Sequence, residues 1–260
     1  MRIARVRLLS SGAEHYGVLH GDQVHILAKP PFDGIVESRK RVSLGDVRLL
    51  PPTAPVDFWG IGMNYGDHLQ QAQATSGLPI TGTMRPWHKG VGGIIGPDQP
   101  IIIPPEAVEV HYEGELVVVM GKRARRITPA QAPQYILGYT CGNDVSEKHS
   151  WEKEPGQWRG KGTDTFAPVG PWIETDIEPQ GHELIVRRNG KEETHGNTSQ
   201  MIHSVYDIVS YISRFITLHP GDLILTGAAG ISQAIHPGDV VEVEISGIGT
   251  LRNPVEMEKL

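Results

Sequence analysis

The chain has 260 residues, enough to bury a sizeable core as one large domain or as a large domain with a small appendage. A hydrophobic share of 38%, a charged share of 21%, a net charge of −6 and a pI near 6.0 suit a soluble enzyme-sized protein and exclude the basic footprint of a general nucleic-acid binder. One cysteine, Cys141, excludes an intramolecular disulfide, and no stretch approaches the ~20 apolar residues that span a bilayer.

In chain order, residues 1–28 read as short strands, RIARVRLL and then HYGVLHGDQVHIL, with Gly21-Asp22 as a hairpin turn. The opening MRIARVRLLSSG is basic but lacks the apolar run of about 7–15 residues that a secretory signal needs, so a cytoplasmic protein without membrane contact is expected. Residues 29–55 are rich in Pro, Gly and charge and end in 51-PPTAP-55, a linker or domain edge. The expected division is therefore a small β unit over 1–50 and a larger unit over 51–260.

From residue 56, VDFWGIGMNYGDH reads as a strand running into a loop, and 68-HLQQAQATSG-77 as a short helix. Residues 78–100 read as one long loop, a feature that is usually functional in a compact domain. Strands are expected near 100–103, 113–121 and 136–141, with Thr128 and Pro129 opening a helix between the last two. Apolar residues at 202, 205, 208, 209, 212, 215 and 216 have amphipathic helical spacing, closed by Pro220-Gly221. DLILTG, GDVVEVEISGIG and TLRNPVEME are the last strands, and glycine and proline spread among such runs read as turn punctuation in a mostly β (α+β) fold.

Several familiar signatures fail on spacing. Gly60, Gly62 and Gly66 follow a strand, but as GxGxxxG, and no acid between Asp67 and Asp98 is placed to hold a ribose. Ser150-Trp151-Glu152-Lys153 matches SxxK without its companion SDN and KTG motifs, and GxSxG, HExxH and CxxC are absent.

The stretch 109-EVHYEGELVVVMGK-122 is different. Period-2 side chains share a strand face, so Glu113 and Glu115 point the same way as Val117 and Val119. Leu116, Val118 and Met120 make the other face apolar too, which predicts a strand buried on both sides. Two readings of the acids stand: a solvated pair at a strand entrance, or a pair whose repulsion a shared cation relieves. Mg²⁺ suits the second, as a hard ion that accepts one or two carboxylates and keeps room for substrate oxygens. Asp144, in 138-GYTCGNDVS-146, is either a turn residue or a third acid for the same set.

The segments GIGMNYGDH, HYEGELVVVMGK, GYTCGNDVS, QWRGKGTDTFAPVGPWI, GDLILTG and GDVVEVEISGIGTLRNPV occur in this order over residues 56–257. Together they resemble the fumarylacetoacetate hydrolase family. The resemblance implies a rolled, mixed β-sheet catalytic domain with a small N-terminal β appendage, assembled as a homodimer. It implies Mg²⁺, or Mn²⁺ or Ca²⁺ in its place, held by Glu113, Glu115 and Asp144. Lys161 of GKGTDTF matches the family lysine that stabilises negative charge, with Thr165 near the metal, and His68 matches the general base. Tyr65, Lys89 and Thr226 resemble positions that contact the substrate's carboxylate and oxygens. The implied substrate is a small 2-oxo acid, often a 2,4-dioxo acid.

The chain also departs from the family pattern. Gln71 stands where hydrolases of the family commonly carry a water-activating glutamate, 147-EKHSW-151 replaces an Arg-Asp pair and a later Gln, and TGAA replaces TGTP. The expected activity is Mg²⁺-dependent hydrolysis of a C–C bond in catabolism. A decarboxylase or isomerase of an unsaturated 2-oxo diacid is the alternative that Gln71 favours, and a metal-binding homologue without catalysis is a third.

Overall fold

Apolar residues alternate through the N-terminal strands β1 (Arg2–Leu8), β2 (Glu14–His20) and β3 (Gln23–Leu27), followed by β4 (Glu37–Ser43) and β5 (Val47–Leu49). Gly21 takes a φ of 61° between β2 and β3, a conformation open to glycine at little cost, and so makes the expected hairpin turn. The computed structural model describes residues 1–67, 70, 83–153 and 157–259. Next come β6 (Phe58–Gly62), β7 (Arg85–His88), β8 (Ile94–Ile95), β9 (Ile101–Ile103) and β10 (Val110–His111). They are followed by β11 (Gly114–Met120), β12 (Ile136–Asn143), β13 (Ser146–Glu147) and β14 (Ala167–Glu174). The chain closes with β15 (Glu183–Arg188), β16 (Lys191–Asn197), β17 (Leu223–Leu225), β18 (Val240–Ile245) and β19 (Gly249–Met257). The helices used below are α1 (Lys148–Lys153), α2 (Trp158–Gly162) and α3 (Val205–Ser213).

Strands in the order β4-β3-β2-β1-β14-β12-β11-β17-β6-β7, with β5 beside β1 and β8 beside β14, form one twelve-stranded sheet. Its β17–β6 and β8–β14 pairs are parallel and the others antiparallel, so the sheet is mixed. The N-terminal strands continue the large sheet through β1 and β14, where Arg2 stands opposite Glu174. A five-stranded sheet, β16-β15-β18-β19-β9, packs on one face.

β11 lies between two cores and is buried along its whole length. Leu116, Val118 and Met120 pack with Leu184, Val186, Val243 and Ile208 on one side. Val117 and Val119 pack with Phe58, Val169, Leu223 and Leu225 on the other. Each such side chain contributes about 1.5–3 kcal/mol by leaving water, so this strand is the firmest mount the fold offers for a polar group at its end.

Three local expectations change for tertiary reasons. The amphipathic segment forms a helix only over α3: the Ser204 hydroxyl accepts from the Asp207 N–H (3.2 Å) at its start. At its end the Arg126 N–H (2.8 Å) and the Arg125 guanidinium (3.0 Å) take the Ser213 carbonyl, which halts the ladder. Pro129–Gln134 is a short 3₁₀ helix, with the Gln131 side chain returning to the Thr128 N–H (2.9 Å) and Pro133 unable to donate. Within the long loop expected over 78–100, β7 and β8 find strand partners distant in sequence. Among the described residues no helix is long and apolar enough to cross a membrane.

Candidate active site

Glu113 immediately precedes β11 and Glu115 is its second residue, so the pleat sends both carboxylates to the side of Val117 and Val119. β12 runs antiparallel alongside, with Gly114 opposite Asn143, which brings the next residue, Asp144, level with Glu113. The Asp144 N–H donates to the Glu113 carbonyl (2.7 Å), and the Glu113 N–H donates to Asn143 Oδ1 (2.9 Å). Carboxylate oxygens of Glu113, Glu115 and Asp144 consequently lie within 4.8 Å of one another, in three buried residues.

Three ammonium groups face this cluster. Lys161, on α2, donates to Glu113 Oε2 (2.8 Å) and to Asp144 Oδ2. Lys89, in the loop after β7, is 0% exposed and donates to Asp144 Oδ1 (2.6 Å) and the Val145 carbonyl (3.1 Å). Lys148, the first residue of α1, donates to Glu113 Oε1. Glu115 receives a hydrogen bond from the Gly227 N–H (2.6 Å) and from no lysine among the described residues. Burial, and then its neighbours Asp144 and Glu113, push the Glu115 carboxyl well above the usual carboxylate range. Burial also pulls the Lys89 ammonium below its ordinary value, against the attraction of Asp144. At Lys161 burial acts the same way, but Asp144 and Glu113 outweigh it and hold the ammonium charged.

The two buried lysines share an aromatic wall. The Trp87 ring centroid lies 4.9 Å from Lys161 Nζ and 5.5 Å from Lys89 Nζ, within cation–π range. Trp87 can lie there because its cross-strand partner is Gly60: a Cβ at Gly60 would sit 2.3 Å from the indole ring. Gly60→Ala should therefore displace the indole and lower stability by about 1–3 kcal/mol, read as a reduced Tm. An unchanged Tm would show that the indole has room to give.

The other positions singled out in the sequence are placed as follows. Tyr65 is buried, and its hydroxyl has no hydrogen-bond partner among the described residues. Burial, with Glu115 adding to it, raises the Tyr65 hydroxyl pKa, so it stays a proton donor at neutral pH. The Thr226 hydroxyl donates to the Leu116 carbonyl (2.9 Å), and the Thr165 hydroxyl accepts from the Ile102 N–H (2.8 Å). Lys89 faces Asp144 rather than open solvent. His68 and Gln71 lie outside the described residues.

Three members of the constellation carried no assigned role in the sequence reading. Lys148 belongs to a stretch that departs from the family pattern, which marked the position but not its partner. Asn64 donates to the His203 (3.0 Å) and Thr226 (2.8 Å) carbonyls and accepts from the His203 N–H (2.7 Å), tying β6 to the turn after β17. Gly227 in that turn has a φ of 102°, and a Cβ there would come within 2.6 Å of the Asn64 Cβ. Only a backbone without a side chain brings its N–H so close to Glu115.

Three buried carboxylates form an all-oxygen donor set suited to a hard divalent ion, and Glu115 is the member whose charge most needs one. A family model described as fumarylacetoacetate (FAA) hydrolase C-terminal matches residues 57–256. The chain belongs to the fumarylacetoacetate hydrolase family. A separate model, Rv2993c-like, N-terminal, matches residues 1–52. Protein Rv2993c of Mycobacterium tuberculosis is 43% identical over 233 residues, which cover 88% of this chain and 86% of that protein. The crystal structure of 5-carboxymethyl-2-hydroxymuconate delta-isomerase from Mycobacterium smegmatis has a TM-score of 0.91 at 36% identity, covering 99% of this chain and all (100%) of that one. Maleylpyruvate hydrolase from Sphingobium sp. SYK-6, solved with manganese(II) and pyruvate, shares the fold with a TM-score of 0.80 at 24% identity, covering 100% of both chains. Proteins named for an isomerase and for a hydrolase thus share the family's fold, and the family's substrates are small molecules.

Proposed function

We propose that this protein hydrolyses a C–C bond in a small 2,4-dioxo acid, with a divalent ion held by Glu113, Glu115 and Asp144. The observation that carries the reading is the buried carboxylate of Glu115, set beside two others with, among the described residues, a single backbone donor and no lysine. An ion at these residues, Mg²⁺ or Mn²⁺, would supply Lewis-acid polarisation of a chelated 2-oxo acid and so favour its enolate. The manganese and pyruvate of maleylpyruvate hydrolase support that choice of ion and of substrate class.

The chain's own residues supply the rest. Lys148, Lys161 and Lys89 pair with Glu113 and Asp144 and leave Glu115 without a lysine donor among the described residues, so the positive charge of an ion would meet Glu115 and the substrate's anion. Lys161, held charged beside Glu113 and Asp144, steadies negative charge that develops on substrate oxygens. The Tyr65 hydroxyl, without a partner among the described residues and close enough to Glu115 to feel its charge, is a donor for a substrate oxygen. His68 serves as the general base, since an imidazole titrates near neutral pH. We also take residues 1–50 and 51–260 as the two units of the chain, the second carrying the chemistry.

A second reading is isomerisation or decarboxylation of an unsaturated 2-oxo diacid through the same enolate. Gln71, which cannot accept a proton, favours it, as does the likeness to the Mycobacterium smegmatis isomerase. The purified protein should turn over a member of a panel of acylpyruvates, oxaloacetate and unsaturated 2-oxo diacids with Mg²⁺ or Mn²⁺, and none with EDTA. Pyruvate plus a second acid means hydrolysis; CO₂ release or a spectral shift without water addition means the second reading. Ion binding with no turnover on any of them would sink both and leave a binding protein.

A further inference from the structure

The N-terminal strands carry a second cluster that the chemistry above does not use. His20 ends β2, His25 lies in the middle of β3 and Glu37 opens β4. Their register puts them on one face of the sheet. His25 stands opposite Val18, two residues before His20 on the same side of β2. β4 then bulges: Arg41 is opposite His25, yet Glu37, four residues away, is opposite Leu27, only two residues on from His25. Bulges of this kind re-aim a side chain, and this one leaves the Glu37 carboxylate between the two imidazoles. His20 Nε2 lies 3.0 Å from Glu37 Oε1, and His25 Nδ1 lies 2.7 Å from Glu37 Oε2. The two rings lie close together, centroids 4.0 Å apart and planes tilted by 30°. One nitrogen from each and one carboxylate oxygen all lie within 4.8 Å of one another.

We propose that His20, His25 and Glu37 form a second metal site, built for an imidazole-preferring divalent ion of the Zn²⁺ or Cu²⁺ type. Two nitrogens and one carboxylate oxygen are the ligand set such ions choose, whereas Mg²⁺ prefers oxygen alone. Bonds of about 2.0–2.1 Å to each nitrogen ask the two rings to close by small side-chain rotations. Both histidines are free to make them, with side chains 50% and 22% exposed. Arg41 also reaches Glu37, at 3.5 Å, farther than either imidazole, and its Nη1 is bonded to the Ser38 and Lys40 carbonyls. β2 is three strands from β12 in the sheet order, about 14 Å at the ordinary strand spacing, so this site is separate from Glu113, Glu115 and Asp144. An ion here would clamp the bulged edge strand β4 to the β2–β3 hairpin.

The test is a Zn²⁺ titration of the full chain by calorimetry in saturating Mg²⁺, with Co²⁺ as a visible-spectrum probe of nitrogen ligation. Wild type should bind Zn²⁺ and show a rise in Tm, and Glu115→Gln should do the same. His25→Ala and Glu37→Gln should lose the isotherm and the Co²⁺ spectrum while keeping their circular dichroism and Mg²⁺-dependent turnover. Should either variant fail to fold, His20→Ala, at a half-exposed position, decides the matter by the same readouts. Absence of Zn²⁺ binding in wild type, or equal binding in wild type and His20→Ala, overturns the proposal.

Discussion

Glu115→Gln is expected to stabilise the metal-free protein while abolishing its response to divalent ions and its turnover. The wild-type carboxyl is buried beside Glu113 and Asp144 with one hydrogen bond among the described residues, from the Gly227 N–H. The amide keeps an oxygen for that N–H, is neutral at every pH without holding a proton, and adds donors beside two carboxylates. A gain of about 1–3 kcal/mol in EDTA is the scale for relieving such a group. The pH dependence follows from the same shift. The folded Glu115 carboxyl titrates well above its ordinary value of 4.5, so above that value the native state holds a proton that the unfolded chain has released. The wild type's share of stability from this group is greatest below the unfolded value and declines as pH rises through the folded one. A bound ion competes with that proton, so its stabilising effect grows with pH. Thermal melts of both proteins in EDTA and in Mg²⁺, at about pH 6 and about pH 8, should show the Mg²⁺ shift growing with pH in wild type only. A variant less stable than wild type in EDTA, or one still shifted by Mg²⁺, would remove Glu115 from the ligand set.

Much of this arrangement was legible in the sequence because it rests on strand period. Two residues of separation put Glu113 and Glu115 on one face, and apolar residues at both parities announced that β11 is buried on both sides. That Asp144 joins them depends on the β11–β12 register, which no local pattern specifies; the ordered motifs stood in for it. The burial of Lys89, a residue that the family resemblance puts at the substrate, is the clearest case of what could not be read. A lysine in a glycine-rich segment is ordinarily exposed, and only the pairing of β7 with β6, across Gly60 and Trp87, carries it into the interior. Gly227 contributes a backbone N–H, which has no signature in residue type. The helix over 202–216 was overestimated because the Arg125 and Arg126 donors that end it lie some ninety residues earlier in the chain.

Lys161→Met should show the opposite pattern to Glu115→Gln. Its ammonium serves both Glu113 and Asp144, and removing it leaves each of these buried carboxylates with one remaining lysine among the described residues, Lys148 and Lys89 respectively. Breaking a buried pair costs about 3–5 kcal/mol, so the metal-free variant should melt well below wild type. Mg²⁺ supplies positive charge to the same carboxylates and should restore most of the lost Tm. Turnover should not return with it. If Lys161 faces charge that develops on the substrate, its loss should lower kcat by about 10²–10³, the scale of removing one preorganised donor, even at saturating ion. Lys89→Met is the control, since Asp144 keeps Lys161 and Lys89 Nζ is already committed to Asp144 and the Val145 carbonyl. Its defect should appear in stability and be recovered in kcat once Mg²⁺ is bound. Full recovery of kcat by Lys161→Met in Mg²⁺ would reduce that lysine to a counter-ion and move the burden of charge stabilisation to Tyr65.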